Sequence, residues 1–222
     1  MEIRLTESLT IDLKRFYPEH TNYYPVCEPF LKYWCHRNIK KDWVVLDVGA
    51  HVGYYAMLFS HYGGTVHAFE PTDTFDWLVE NLAVYPWTNN VTCHQLALGA
   101  RTAPAQDEML WKLWGHKLEK TRCDFITVDD FVARENLSRL DFVKIDVDGF
   151  DLDVLQGMER TMQMLMPTIA IELSAESLRQ RGQSPAQITK LLAERHYMIG
   201  YDFRMEENIV CYPNARLRKH DR

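Results

Sequence analysis

Short apolar runs alternate along the chain with stretches whose apolar positions recur every three or four residues. Residues 43–48 (WVVLDV), 65–70 (TVHAFE), 91–98 (VTCHQLAL), 141–149 (DFVKIDVDG) and 168–173 (TIAIEL) are runs of strand length. Near-continuous runs of this kind suit strands buried on both faces of a parallel sheet. Helical patterns lie between them. YYAMLFSHY follows the glycine-punctuated GAHVG and stops at Gly63-Gly64, and Asp73 is a good N-cap for a helix with Phe75, Leu78, Val79 and Leu82 on one face. Leu152, Leu155, Met158, Met162 and Leu165 form another apolar stripe, closed by Pro167. Ser184-Pro185-x-Gln187 has the cap, first-turn proline and capping-box glutamine of a helix start, with Ile188, Leu191 and Leu192 as its buried face. Residues 197–203 and 208–212, around RMEE, predict a final antiparallel hairpin. The first hundred residues thus read β-α-β-α-β, which implies right-handed crossovers and a parallel sheet covered by helices.

Two segments are less regular. Residues 1–41 are rich in aromatics, with a helical spacing of Phe30, Tyr33, Trp34 and Arg37 between residues 28 and 37. We read them as a cap on a domain spanning 42–215. Within that domain the pattern lapses over 100–124, which carries Trp111, Trp114 and His116. A gap of this length in a compact domain is functional or has structure of its own, and it is expected on the substrate side. Residues 216–222 (RLRKHDR) form a basic tail, expected to be solvated.

Composition narrows the function classes. The 222 residues include 25 Lys and Arg against 31 Asp and Glu, a formal charge of −6, which argues against a broad electrostatic hold on nucleic acid. With 46% apolar residues, 10 Gly and 9 Pro, the chain is neither disordered nor collagen-like. Five cysteines with no C-x-x-C pair disfavour a disulfide framework or structural zinc. No apolar stretch approaches the roughly 18 residues of a membrane span, and residues 1–20 lack a signal-peptide core. One cytoplasmic domain is expected.

The candidate chemistry gathers at strand ends. Asp47-Val48-Gly49-Ala50-His51-Val52-Gly53 stands between a strand and a helix, with Glu70 at the tip of the next strand. Glycines there let a ligand approach the backbone, the following helix offers free N–H groups to an anion, and Glu70 is placed to bond ribose hydroxyls. Gly49-x-x-x-Gly53 is not the spacing of dinucleotide or triphosphate motifs. A nucleoside bearing one carboxylate, S-adenosylmethionine, suits it better, with Asp47 meeting the α-amino group.

Lys144 and Asp146 lie two apart in the fourth strand and share a face, and Glu172 ends the fifth. Charges in a central parallel strand must be paired or used. Asp146, Asp148 and Glu172 could also hold Mg²⁺ through hard oxygen ligands. Asp148, Asp151 and Asp153 equally suit a helix N-terminus, whose dipole they complement.

VVLDVGAHVGYYAMLFS, AFEPT with Asn81, LALG, TVDDF and DFVKIDVDGFDLDVLQGMERTM with PTIAIEL, over about residues 43–174, resemble the FkbM family of class I S-adenosylmethionine-dependent methyltransferases. The resemblance implies an α/β fold: a Rossmann-like, doubly wound, seven-stranded sheet, mostly parallel, with a C-terminal antiparallel hairpin. It implies methyl transfer to a hydroxyl oxygen of a sugar, glycan or other natural product. This sequence departs from the family at His51, where Asn is usual, at Asp148 for Glu, and at Phe150-Asp151 for Ala-Glu. The expected cofactor-binding residues are Asp47, Gly49, Ala50, His51, Gly53, Glu70, Pro71, Ala97, Leu98 and Asp146. Asp146 or Glu172 is the first candidate for the base that takes the acceptor's proton, with Lys144 beside them and His116 second. Trp111 and Trp114 could stack on the acceptor or form a packing cluster. The alternative is a non-catalytic S-adenosylmethionine-binding domain of a larger assembly or chain. The partners expected are a small-molecule or glycan acceptor and no nucleic acid, with homodimerisation left open.

Overall fold

The computed structural model describes residues 1–6, 9–113 and 117–214. The N-terminal segment forms β1 (Glu2–Arg4), β2 (Thr10–Asp12) and α1 (Pro29–Asn38). The alternating part follows as β3 (Val44–Val48), α2 (Tyr54–His61), β4 (Thr65–Phe69), α3 (Thr74–Leu82), β5 (Val91–His94) and β6 (Ala97–Leu98). A hairpin, β7 (Ala103–Leu113) and β8 (Lys117–Ile126), leads to α4 (Val128–Arg134), β9 (Phe142–Ile145), α5 (Asp151–Gln156), α6 (Glu159–Met164), β10 (Thr168–Glu172), α7 (Ala175–Gln180) and α8 (Pro185–Glu194). The chain then turns through β11 (Tyr197–Phe203) and β12 (Asn208–Pro213).

Seven strands pair in the order β11-β12-β10-β9-β3-β4-β5. β5, β4, β3, β9 and β10 run parallel, and β12 is antiparallel to both β10 and β11. This is the expected Rossmann-like sheet with its closing hairpin. Alternate residues of each strand feed two cores. Val45, Val66, Phe142 and Ala170 pack under the N-terminal segment and α2. Leu46, Phe69, Val143 and Ile171 pack under α5, α6 and α8. Burial on both faces explains why these strands read as continuous apolar runs. Among the described residues no helix is long and apolar enough to cross a membrane.

Three expectations are corrected, and the segment 100–124 has structure of its own, as one of its two readings had it. The run 91–98 is two strands, because β5 ends on β4 while β6 leaves the main sheet to pair with β8. An apolar run reports burial, not which sheet provides it. The irregular segment 100–124 is mostly the hairpin β7–β8, whose alternation is blurred because Met109 and Leu118 are exposed while Lys112 is buried. The long amphipathic helix is broken between α5 and α6. Asp73 and Ser184 stand at N-cap positions without side-chain capping bonds. Asp73 pairs instead with Lys112 Nζ at 2.7 Å, and the Ser184 hydroxyl donates to Gln187 Oε1 at 3.2 Å.

The break at Gly157 shows why a glycine is needed there. Its φ of −80° is ordinary, but a Cβ would lie 2.0 Å from the Gly99 carbonyl oxygen. That contact seats the helix pair against the link between β6 and the hairpin. Gly157→Ala should lower stability by about 1 to 3 kcal/mol through overpacking, read as a lower urea midpoint with an unchanged slope.

Candidate active site

The strand order reverses between β3 and β9, and ligands of open α/β sheets bind at such a switch point, beyond the carboxyl ends of the strands. The 49–53 turn lies there. Gly49 has φ 87°, and a Cβ on it would come within 1.9 Å of the Asp146 carbonyl oxygen, so the turn rests directly on the chain leaving β9. His51 has φ 50°, a left-handed conformation in which Asn, Asp and His are enriched. Its Nε2 lies 3.1 Å from the Lys112 carbonyl, which can only accept, so Nε2 carries the proton. The ring stacks on Tyr17 at 5.3 Å, and burial lowers its pKa to about 4, leaving the imidazole neutral.

Glu70 organises the same turn. Its Oε2 accepts from the His51 amide at 3.0 Å, and its Oε1 accepts from the Thr72 amide at 2.9 Å and hydroxyl at 2.6 Å. A carboxylate has about four acceptor positions, so roughly one is left for a ligand. Burial raises its pKa, against the pull of these bonds.

The second constellation crosses three strands. Lys144 is paired in register with Asp47 of β3 on one side and Ala170 of β10 on the other. The two-residue period then puts Asp47, Lys144, Asp146 and Glu172 on the face covered by the N-terminal segment. Lys144 Nζ donates to Asp146 Oδ2 at 2.7 Å and sits 4.5 Å from the centre of the Tyr55 ring. Burial disfavours its charge, but Asp146, then Glu28 and Asp47, outweigh that and hold the ammonium protonated above its ordinary range. Glu172 lies at the edge of this group, its Oε2 buried without a hydrogen-bond partner. Burial, followed by Asp146, Asp151, Asp148 and Glu28, pushes its pKa well above the usual carboxylate range.

These elements open into one cavity of about 1290 Å³. Gly49, His51, Glu70, Pro71, Ala97, Leu98, Asp146, Asp148 and Glu172 line it, as does Trp111 from β7. Asp47, Ala50, Gly53 and Lys144 are not in the lining; they are buried behind it and shape the turn and the charge. Trp114, His116 and residues 216–222 lie outside the described residues. Asp151 braces the 147–149 loop, accepting from the Val147 amide at 3.2 Å and the Gly149 amide at 3.0 Å. Asp153 pairs with Arg181 Nη2 at 3.2 Å. Among the described residues no three His, Cys, Asp or Glu side chains are grouped to hold a metal ion.

Sequence reasoning missed three contributors: Glu28 and Glu206, which line the cavity, and Lys112, which ties β7 to Glu119 of β8 and the hairpin to Asp73, at 2.7 Å each. Glu28-Pro29 does mark a helix start, but nothing local reports where the Glu28 carboxylate points.

Asp47 yields a stability test. Burial outweighs the attraction of Lys144 and raises its pKa from 3.8 to about 7. The folded chain therefore binds more protons than the unfolded one between those values. The resulting stabilisation is complete at low pH and is lost as pH rises through about 7. Asp47→Asn should gain about 2 kcal/mol on the wild type between about pH 5 and about pH 8, measured by urea unfolding at both. A pH-independent difference would show that Asp47 is ionised throughout.

The model of the methyltransferase FkbM domain matches residues 47–199. A hexuronic acid methyltransferase, AglP, of Haloferax volcanii is 31% identical over 159 residues, covering 70% of this chain and 63% of its own. The chain thus spans less than two thirds of that relative's length. The crystal structure of methyltransferase FkbM from Methylobacillus flagellatus superposes with a TM-score of 0.56 at 18% identity, over 78% of this chain and 44% of that one. A ribosomal protein L11 methylase from Lactobacillus delbrueckii subsp. bulgaricus gives a TM-score of 0.51 at 16% identity, over 96% and 99%. At these identities the two structures speak for the fold. The family match over most of the chain, with the glycine turn, Glu70 and the strand-end carboxylates in one cavity, makes this chain a member of the FkbM methyltransferase family.

Proposed function

We propose that the chain is an S-adenosylmethionine-dependent methyltransferase that methylates a hydroxyl oxygen of a sugar, glycan or other natural product. The observation that carries the reading is Glu172: a buried carboxylate oxygen without a partner, in the same cavity as the Gly49 turn and Glu70. A carboxyl group that lines a cavity and leaves an oxygen unpaired asks for a donor, and an acceptor hydroxyl is one.

The residues present fit the cofactor. The Gly49 turn leaves no room for a side chain, Glu70 keeps about one acceptor position for a ribose hydroxyl, and Ala97 and Leu98 offer an apolar wall. The Asp146 carboxylate in the lining is opposite in sign to a sulfonium. The cavity exceeds the roughly 300 to 1,000 Å³ usual for a single small-molecule site, which leaves volume for an acceptor as well. When bound, S-adenosylmethionine supplies a methyl group on a positively charged sulfur.

The work left to the protein is to aim the acceptor oxygen and take its proton. Glu172 is the stronger candidate for the base, because its raised pKa makes it more basic than an ordinary carboxylate. Lys144, fixed by Asp146, keeps positive charge beneath the site as the proton moves to Glu172. A glycan acceptor is favoured by the name of the Haloferax volcanii relative and by the aromatic walls of Tyr23, Tyr24 and Trp111, on which sugar rings pack.

Glu70→Ala should weaken binding of S-adenosylhomocysteine by about 10- to 100-fold in calorimetry, since it removes both a ligand contact and the brace of the turn. Wild-type affinity in that variant would refute the ribose assignment. Glu172→Gln should leave that binding intact and cut label transfer from methyl-labelled S-adenosylmethionine, in extracts analysed by mass spectrometry, by about 100-fold or more. Wild-type transfer should rise with pH through the raised pKa of Glu172, because only the ionised form can take the proton. Cofactor binding without any transfer would favour a non-catalytic domain.

A further inference from the structure

Glu28 stands at the N-cap of α1, directly before Pro29, with φ 44° and ψ 51°, and its side chain makes no capping bond. A non-glycine residue holds a left-handed conformation only where its surroundings over-determine it. Two residues of the β11–β12 connection do so. Glu206 performs the capping that Glu28 does not, accepting from the Phe30 amide at 2.6 Å and the Leu31 amide at 3.0 Å. Asn208 donates through Nδ2 to Glu28 Oε1 at 2.6 Å and to the Glu206 carbonyl at 2.9 Å. With the helix end already satisfied, Glu28 does not cap it and lines the cavity together with Asp146, Asp148 and Glu172.

The arrangement frees Glu28 from capping its own helix. A carboxylate at an N-cap ordinarily stabilises its own helix, and here a second carboxylate has been brought from the far end of the chain to take over that task. Glu172, whose Oε2 is buried without a hydrogen-bond partner, lines the same cavity. Exposed Val26 and Phe30 flank Glu28 in the lining, so this stretch borders the cavity at its open side. Neither Glu28 nor Asn208 falls within the 47–199 match to the family domain.

We propose that Glu28 is an acceptor-binding, specificity-determining residue: held by Asn208 and relieved of capping by Glu206, it and Glu172 accept hydrogen bonds from neighbouring hydroxyls of a polyhydroxylated acceptor. The inference rests on the methyltransferase reading above and adds which residues grip the acceptor. Selection is thereby assigned to the two flanks of the family domain, the N-terminal segment and the β11–β12 connection, which meet at Glu28.

The test compares wild type, Glu28→Gln and Glu28→Gly for S-adenosylhomocysteine affinity, melting temperature and methyl transfer, using the acceptor isolated from extract by its label. Glu28→Gln keeps the shape and removes the charge, and Glu28→Gly relieves the left-handed backbone while removing the side chain. Both should bind S-adenosylhomocysteine within about twofold of wild type, and Glu28→Gly should melt no lower than wild type. Both should raise the acceptor KM by about tenfold or more, with kcat changed far less. Unchanged acceptor KM, or a loss of S-adenosylhomocysteine affinity as large as the loss of transfer, overturns the proposal. A wild type that binds the cofactor but labels nothing in extract overturns the methyltransferase reading itself, and this proposal with it.

Discussion

An ammonium group taken out of water in the middle of a parallel sheet has to be met by carboxylates, and much of this molecule is arranged around that requirement. Lys144 lies in the central strand β9, flanked in register by Asp47, hydrogen-bonded to Asp146 and roofed by the Tyr55 ring. More carboxylates gather than one lysine can neutralise. Burial and mutual repulsion consequently raise the pKa of Asp47 and Asp151 to about 7, and that of Glu172 well above the carboxylate range. A cavity wall crowded with carboxyl groups of raised pKa suits a hydroxylated acceptor whose proton must be taken. The cost of burying these groups is the kind that a functional site imposes on the surrounding fold.

Close backbone approach is the second constraint. The Gly49 turn and the end of β9 touch with no room for a side chain between them, and Gly157 meets Gly99 in the same way. The first contact brings Gly49 and Asp146 to one cavity wall. The second anchors the base of the β7–β8 hairpin, whose Lys112 then reaches His51 through its carbonyl and Asp73 through its ammonium. The hairpin is thereby a fixed wall of the site, tied to the turn that it covers.

Much of the fold was legible because the central strands are buried on both faces and announce themselves as apolar runs. The hairpin β7–β8 was not, since it buries one face only and places Lys112 inside and Met109 outside. In the site, the residues visible from sequence were those whose function depends on a strand end or a turn: Gly49, Glu70, Asp146 and Glu172. Asp47 was visible as an acid in a strand, but its depth behind the lining was not, because alternation gives the face of a strand and not the distance to a cavity. Glu28, Glu206 and Asn208 come from opposite ends of the chain, and no local pattern links them.

Local physics, then, determined the alternation of strands and helices, the glycine turn after β3, and the period-two placement of Lys144 with Asp146, because each depends on neighbours a few residues away. Tertiary structure alone decided that Glu206 caps α1, that Asn208 grips Glu28, that His51 is neutral under Tyr17, and that Glu172 Oε2 is left without a partner. Each of these depends on what the fold brings within hydrogen-bonding distance or removes from water, and neither is written in the spacing of residues along the chain.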